Sequence, residues 1–151
     1  MRRTREQATY RYVGAEPRVT DDGWESLGDN GRMDEEGYLY LADRRTDMIL
    51  VGGSNVYPAE VEAALDEHPQ VASSAVIGLP DPDLGQVVHA IVQPAPGRDD
   101  VDLDDLRGHL AERLVRYKQP RTFELVREPL RDDAGKVRRS QLLAARVPAQ
   151  Q

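Results

Sequence analysis

Three short segments of the chain carry residue types that proteins use to bind phosphates and nucleotides. Asp29 follows a glycine, Arg44 opens a polar run that leads to Gly52-Gly53, and Lys136 follows Gly135 in a polar loop. Taken singly, an aspartate beside glycine is typical of a turn, and a loop lysine is typical of a solvated surface. Gly135-Lys136 is not a Walker loop, because the earlier glycine and the following Ser or Thr are absent, and Gly52-Gly53 lacks the dinucleotide spacing.

Composition excludes several classes of protein. The chain has 151 residues, 20 basic and 27 acidic side chains and a formal net charge of −7, which argues against nucleic-acid binding. It contains no apolar run long enough for a membrane span and no apolar stretch of a secretory signal near the first residue. There is no cysteine, and the three histidines are scattered, so no metal site is expected. Together these features predict a cytoplasmic location.

The three candidate segments must be positioned by helices and strands. From about residue 44, the pattern of apolar residues predicts where these helices and strands lie. Pro58 is suited to the first position of a helix, and Val61, Ala64 and Leu65 share one face of it. Asp102 is a candidate cap for a second helix. The predicted order is strand, strand, helix, strand, strand, helix, strand, short helix. The later members are strands at 71–79, 86–93 and 122–126 and a last helix at 140–145.

This order predicts an α+β fold in which helices pack on a small sheet. The first 43 residues read as strands and turns only, with one short strand near Tyr10 to Val13 and a turn at 34–37. Two or three short strands bury too little apolar surface to stand alone. We therefore expect residues 1–43 to be a short all-β remnant of a different domain.

Taken together, the three segments resemble one family. In order, the chain carries Gly23 to Asp29, the run GGSNVYPAEVE at 52–62, and AGKVRR at 134–139. This combination resembles the C-terminal end of the AMP-forming acyl-CoA synthetases, which belong to the adenylate-forming ligases together with peptide-synthetase adenylation domains and luciferases. The resemblance runs from about Asp22 to Leu143, and the GGSNVYPAEVE form is close to that of fatty-acyl and aryl-acyl CoA ligases.

The resemblance implies a two-step reaction and a division into domains. Family members convert a carboxylate and ATP to an acyl-adenylate and pyrophosphate, and the thiol of CoA then displaces AMP. By resemblance, residues 1–43 are the end of a large N-terminal domain, residues 44–146 are the C-terminal lid domain, and residues 147–151 are a disordered tail. The large domain, in cis or in trans, would supply the acyl pocket and the Mg²⁺ site.

The resemblance also assigns roles to five residues. Asp29 matches the aspartate that accepts hydrogen bonds from the ribose hydroxyls of ATP or AMP, and Arg44 matches an arginine that contacts the nucleotide. Thr46 falls at the hinge, where the family most often has Asp or Lys. Gly53 matches the glycine that lines the pantetheine tunnel of CoA, and Lys136 matches the adenylation lysine, the only catalytic residue expected here.

Several functions remain open at this point. The first is the C-terminal portion of a fatty or aryl acid–CoA ligase, which would be inactive alone. The second is a free-standing, non-catalytic lid or binding module that acts with a separate large domain. A fragment of a peptide-synthetase adenylation domain and a degenerate remnant are further alternatives. The acyl substrate cannot be read from this sequence, because the acyl pocket belongs to the large domain.

Overall fold

A computed structural model describes residues 2–3, 18–19, 21, 24–26, 29–44 and 47–147. The chain divides into two compact units, residues 1–46 and residues 47–151, and each is described by itself. The predicted strand near Tyr10 to Val13, the hinge residue Thr46 and positions 148–151 of the predicted tail lie outside the described residues.

The first unit consists of two small sheets. Strands β1 (Arg2–Arg3), β3 (Trp24–Ser26) and β2 (Arg18–Val19) form an antiparallel sheet in that order. Strands β4 (Asp29–Met33) and β5 (Leu39–Arg44) form an antiparallel hairpin. The turn predicted at 34–37 is confirmed as the connection of this hairpin. Asp34 Oδ1 accepts from the N–H groups of Glu36 and Tyr38, and Gly37 has a φ of 89°.

The second unit is built on a five-stranded sheet. Its strands are β6 (Ile49–Val51), β7 (Ser54–Val56), β8 (Val71–Asp81), β9 (Gly85–Pro94) and β10 (Thr122–Leu125). The long β8–β9 hairpin is antiparallel, β6 pairs antiparallel with β7 and with the start of β9, and β10 runs parallel to β9. Among the described strands, β8 pairs only with β9 and so forms an edge of the sheet.

The helices of this unit begin where local chemistry favours a start. Helix α1 (Pro58–Asp66) has proline in its first turn, where the missing N–H costs no hydrogen bond. Helix α2 (Leu103–Arg113) is capped by Asp102, whose Oδ1 accepts from the N–H groups of Asp104 and Asp105 at 3.0 and 3.1 Å. Helix α3 (Arg139–Ala144) follows the Gly135-Lys136 segment directly.

Side chains that alternate along β8 and β9 divide the core between the two faces of the sheet. On one face, Val76 and Ala90 pack with α1 and α2. On the other face, Ile77 and Ile91 pack with Leu130 and with residues of the segment that ends in α3. Val137, which follows Lys136 directly, packs against this second cluster. The lysine segment is therefore anchored in the core through its neighbour.

The predicted α+β fold class and order of elements are confirmed. Two details differ from the sequence expectation. Strand β8 continues through Pro80 to Asp81, which places the β8–β9 turn at 82–84, and the last strand runs parallel to its neighbour. A proline is tolerated in β8 because an edge strand has N–H groups that need no ladder partner. In the described part of the chain, no helix has the length and the apolar composition that a bilayer span needs.

Candidate functional site

The two predicted nucleotide-binding residues lie in the hairpin of the first unit. Asp29 begins β4 and Arg44 ends β5, and the backbone pairs these two positions with each other across the ladder. The register shifts between Asp29 and Gly31, which marks a bulge or irregularity beside Asp29. Asp29 and Arg44, which are 15 positions apart in the sequence, are thus brought opposite each other in the hairpin. The predicted hinge residue Thr46 lies outside the described residues.

Gly53 occupies a tight turn between β6 and β7. Val51 pairs with Ser54, so Gly52 and Gly53 form a two-residue loop, and both have positive φ, 54° and 85°. Such hairpin loops favour glycine and asparagine because other residues are strained at positive φ. A Cβ atom at Gly53 would meet no heavy atom within 4 Å, so the glycine faces open space on this side of the unit. Backbone conformation, rather than crowding within the unit, favours glycine here.

Lys136 lies at the end of an ordered loop between β10 and α3. A bridge between Arg131 and Val137 closes this loop, and the N–H of Asp132 donates to the carbonyl of Lys136 at 3.0 Å. Gly135 has a φ of 72°, and its N–H donates to the carbonyl of Asp132 at 2.7 Å. The segment expected to be a simple polar loop is therefore a hydrogen-bonded turn that fixes the backbone on both sides of the lysine.

The two lysines of the chain have contrasting surroundings. The ammonium of Lys118 lies 2.7 Å from both carboxylate oxygens of Glu60, and four fifths of its side chain is buried. The Lys136 side chain is exposed, and among the described residues its ammonium has no hydrogen-bond or ion-pair partner. Lys118 is thus paired with Glu60, whereas the ammonium of Lys136 has no partner in the described part of the chain and its backbone is held by the turn.

The lysine loop and the glycine turn are attached near opposite ends of the β8–β9 hairpin. Arg131 Nε in the lysine loop lies 3.3 Å from Ser73 Oγ near the beginning of β8. The N–H of Gly52 donates to the carbonyl of Leu84 at 2.9 Å, in the turn after Asp81. At about 3.3 Å per strand residue, the stretch of β8 from Ser73 to Asp81 is about 25 Å long. The second unit therefore carries Gly53 and Lys136 on separate parts of its surface.

A buried ion-pair network ties the lysine segment to helix α1, and the sequence analysis missed it. Arg139 Nη2 donates to both carboxylate oxygens of Glu62 at 2.8 and 2.7 Å, and Arg139 Nη1 lies 3.3 Å from Asp47 Oδ2. Glu62 Oε1 also accepts from the N–H of Val76 at 2.8 Å, on the edge strand β8. The signal was present in the sequence as the last glutamate of GGSNVYPAEVE and the last arginine of AGKVRR.

The electrostatics of Glu62 follow from its burial. Only 5% of the residue is exposed, and burial raises the pKa of Glu62 above its usual value of 4.5. The Arg139 guanidinium and the Val76 N–H act in the opposite direction, because both stabilise the ionised carboxylate and lower its pKa. The Arg139 guanidinium therefore offsets part of the effect that burial has on the pKa of Glu62.

The side chains of the three histidines contact other residues of the second unit. His68 is buried, with Nε2 3.3 Å from Asp105 Oδ2, and its ring packs edge-on against that of His109. His89 Nδ1 lies 2.7 Å from Thr122 Oγ1, and burial lowers the pKa of His89. Within the described ranges, no group of three or more histidine and acidic side chains is arranged to hold a metal ion.

The chain is similar in sequence to a known domain family and to known enzymes. A family model described as "AMP-binding enzyme C-terminal domain" matches residues 60–136, which include Glu62 and Lys136. A fatty acid–[acyl-carrier-protein] ligase of Streptomyces coeruleorubidus is 44% identical over 121 residues, 80% of this chain and 23% of that protein. A 2-succinylbenzoate–CoA ligase of Bacillus licheniformis is 44% identical over 123 residues, 81% of this chain and 25% of that protein.

A solved structure is also similar. The o-succinylbenzoate CoA synthetase of Bacillus subtilis, in complex with an acyl-adenylate intermediate, superimposes with a TM-score of 0.75 at 41% identity. The match covers 85% of this chain and 26% of that one, so the chain spans about a quarter of the length of the relatives it matches. From the match to half of its residues and this agreement in fold, we conclude that the chain belongs to the AMP-binding enzyme C-terminal domain family of adenylate-forming enzymes.

Proposed function

We propose that this chain acts as the C-terminal portion of an AMP-forming carboxylate–CoA ligase for a fatty or aryl acid. Its substrates would be ATP, CoA and a small-molecule carboxylate, and a large N-terminal domain in cis or in trans would complete the active site. The chain by itself is expected to be inactive. The large domain would also supply the site for Mg²⁺.

The single observation that carries this proposal is the state of Lys136. Its backbone is held by a closed turn, its ammonium has no partner among the described residues, and the chain belongs to a family of adenylate-forming enzymes. In adenylation a substrate carboxylate oxygen attacks the α-phosphorus of ATP, and the bond to pyrophosphate breaks. Both reactants are anions, so an ammonium placed between them reduces their repulsion and stabilises the charge of the transition state.

The other candidate residues would serve the nucleotide and the thiol. A carboxylate at Asp29 has two acceptor oxygens for the two ribose hydroxyls, and a guanidinium at Arg44 suits ribose and phosphate oxygens. In the second step the CoA sulfur attacks the acyl carbon and AMP leaves. The open space beside Gly53 supports a role in passage of the pantetheine arm, on a part of the unit away from the attachment of the lysine loop.

A chimera provides the direct test. This chain would replace the C-terminal quarter that it matches in the Bacillus subtilis o-succinylbenzoate CoA synthetase, and both half-reactions would be measured with o-succinylbenzoate. We expect acyl-adenylate formation and thioester formation to be regained relative to the enzyme truncated at the same position. A folded chimera that is no more active than the truncated enzyme would contradict the proposal, and so would pyrophosphate release by this chain alone.

Replacing Gly53 with asparagine is expected to separate the two half-reactions in the chimera. Asparagine tolerates positive φ, so the turn should be retained while its side chain enters the open space. Thioester formation from supplied acyl-adenylate should slow by about tenfold or more, with acyl-adenylate formation nearly unchanged. Gly97→Asn is the matched control, because Gly97 has a φ of 81° and a Cβ there also meets nothing within 4 Å. Equal effects of the two substitutions on thioester formation would exclude the assignment of Gly53.

One relative favours a second candidate for the thiol that accepts the acyl group. The Streptomyces coeruleorubidus protein is named as a fatty acid–[acyl-carrier-protein] ligase and is 44% identical to this chain. The thiol that attacks the acyl-adenylate would then belong to a carrier protein instead of CoA. Supplying the chimera with CoA or with a phosphopantetheine-bearing carrier protein, and comparing kcat/KM for the two thiols, distinguishes these acceptors.

A further inference from the structure

The turn that carries Lys136 is organised by the carboxylate of Asp132. Asp132 Oδ1 accepts hydrogen bonds from the N–H groups of Ala134 and Lys136, at 3.1 and 3.0 Å. Asp132 Oδ2 lies 3.3 Å from Arg138 Nη2 on the other side of the lysine. These bonds lower the pKa of Asp132, with the N–H of Lys136 as the largest cause, because they stabilise the ionised carboxylate. The Asp132 side chain therefore holds the backbone before and at the lysine, and it contacts the Arg138 side chain after the lysine.

The same local geometry occurs at a second place in the chain. In both turns an aspartate precedes a glycine by three positions, and the glycine has positive φ, 89° at Gly37 and 72° at Gly135. In the first turn Asp34 Oδ1 accepts from the N–H of Tyr38, the residue after the glycine, at 2.9 Å. In both turns the residue after the glycine is therefore held by the carboxylate of the aspartate. In the second turn that residue is Lys136.

Contacts on either side anchor the turn to the rest of the unit. Arg131 lies 3.3 Å from the carbonyl of Gly135 and 3.3 Å from Ser73 Oγ on β8. After the lysine, Val137 packs in the apolar cluster on the second face of the sheet, and Arg139 pairs with Glu62. The base of the Lys136 side chain is therefore fixed relative to the sheet, while its ammonium is exposed and uncommitted within the described residues.

We propose that Asp132 is a positioning residue for Lys136, whose carboxylate holds the Lys136 N–H and so sets where the ammonium meets the two anionic reactants. This inference rests on the proposed role of Lys136 in adenylation. Asp132 touches no reactant in this scheme. Its contribution is to remove the conformational freedom of the turn before the substrates bind, which is valuable because small displacements of a catalytic group are costly.

The first test uses the half-reactions of the chimera. Asp132→Ala should slow acyl-adenylate formation by about tenfold to 100-fold and leave thioester formation from supplied acyl-adenylate nearly unchanged. Asp132→Asn keeps an acceptor oxygen for the two N–H groups, so it should remain within a few-fold of the parent. Asp133→Ala is the matched control, because this neighbouring acid has no hydrogen-bond or ion-pair partner within the described ranges.

The second test measures order in the full 151-residue chain with a lysine-specific endoprotease. The chain offers two cleavage sites, after Lys118 and after Lys136, so the first is an internal reference for global unfolding. Asp132→Ala should accelerate cleavage after Lys136 relative to cleavage after Lys118, by about tenfold, whereas Asp132→Asn and Asp133→Ala should not.

The outcomes separate this inference from the proposed function. If Lys136→Ala slows adenylation but Asp132→Ala behaves like Asp133→Ala, the positioning role is wrong and the function stands. Equal loss of both half-reactions in Asp132→Ala, or faster cleavage at both lysines, would also overturn the positioning role, because each indicates general unfolding. If Lys136→Ala itself leaves adenylation unchanged, the proposed function fails first.

Discussion

Lys136→Ala is expected to slow acyl-adenylate formation in the chimera by about 100-fold to 1,000-fold, the usual cost of removing one group that stabilises transition-state charge. Thioester formation from supplied acyl-adenylate should stay within about threefold of the parent, since the second step no longer brings two anions together. The measurement is ATP–pyrophosphate exchange for the first step and thioester release from supplied acyl-adenylate for the second. The effect should appear mainly in kcat for adenylation.

The other lysine of the chain is the control for this substitution. Lys118→Ala removes the same charge and the same number of side-chain atoms, but Lys118 is paired with Glu60 and is not placed in the active site. We expect both half-reactions of the Lys118 variant to remain within about threefold, because a partly exposed ion pair contributes little to stability. Equal losses in adenylation for the two lysine variants would refute a specific role for Lys136.

Arg139→Met is expected to destabilise the full chain by about 3–5 kcal/mol at neutral pH, because it leaves the buried Glu62 carboxylate without its cation. The side chains of Arg139 and Glu62 are 18% and 7% exposed, so water screens this pair weakly. Methionine retains most of the apolar contact of the arginine stem. The free energy of unfolding would be measured by urea denaturation of the 151-residue chain.

The neighbouring arginine is the control for this variant. Arg138 pairs with Asp132 but is 65% exposed, so Arg138→Met should cost about 1 kcal/mol or less. A double variant, Arg139→Met with Glu62→Gln, removes both charges and keeps an acceptor for the Val76 N–H. It should be more stable than Arg139→Met alone. If the two arginine variants lose equal stability, the buried pair is not the cause.

The pH dependence of the Arg139 variant follows from the raised pKa of Glu62. An acid whose pKa is higher in the folded state than its unfolded value near 4.5 favours folding below 4.5 and loses that contribution as the pH rises through the folded-state pKa. Without Arg139 the folded-state pKa rises further, because the guanidinium lowers it in the parent. The stability difference between parent and variant should therefore be largest at neutral pH and shrink as the pH falls, as measured by urea denaturation at several pH values.

Local patterns were sufficient to predict much of the fold. Pro58 and Asp102 define helix starts through backbone chemistry that involves only adjacent residues. The apolar runs of β8 and β9 predict strands for the same reason. The extent of β8 through Pro80 and the parallel direction of β10 were not predictable in this way, because both depend on which strand lies beside another.

The candidate site shows the same contrast between features predicted from local sequence and features that depend on long-range contacts. Residue types and their spacing along the chain were enough to recognise the family, to predict the order of the elements and to select Asp29, Arg44, Gly53 and Lys136 as candidates. The folded chain was needed to show that Lys118 pairs with Glu60 and that Glu62 and Arg139 meet at the edge of the sheet. It also showed that the lysine loop and the glycine turn are attached near opposite ends of one hairpin. These contacts join residues far apart in sequence, and their energies depend on burial and on partners that only the folded chain brings together.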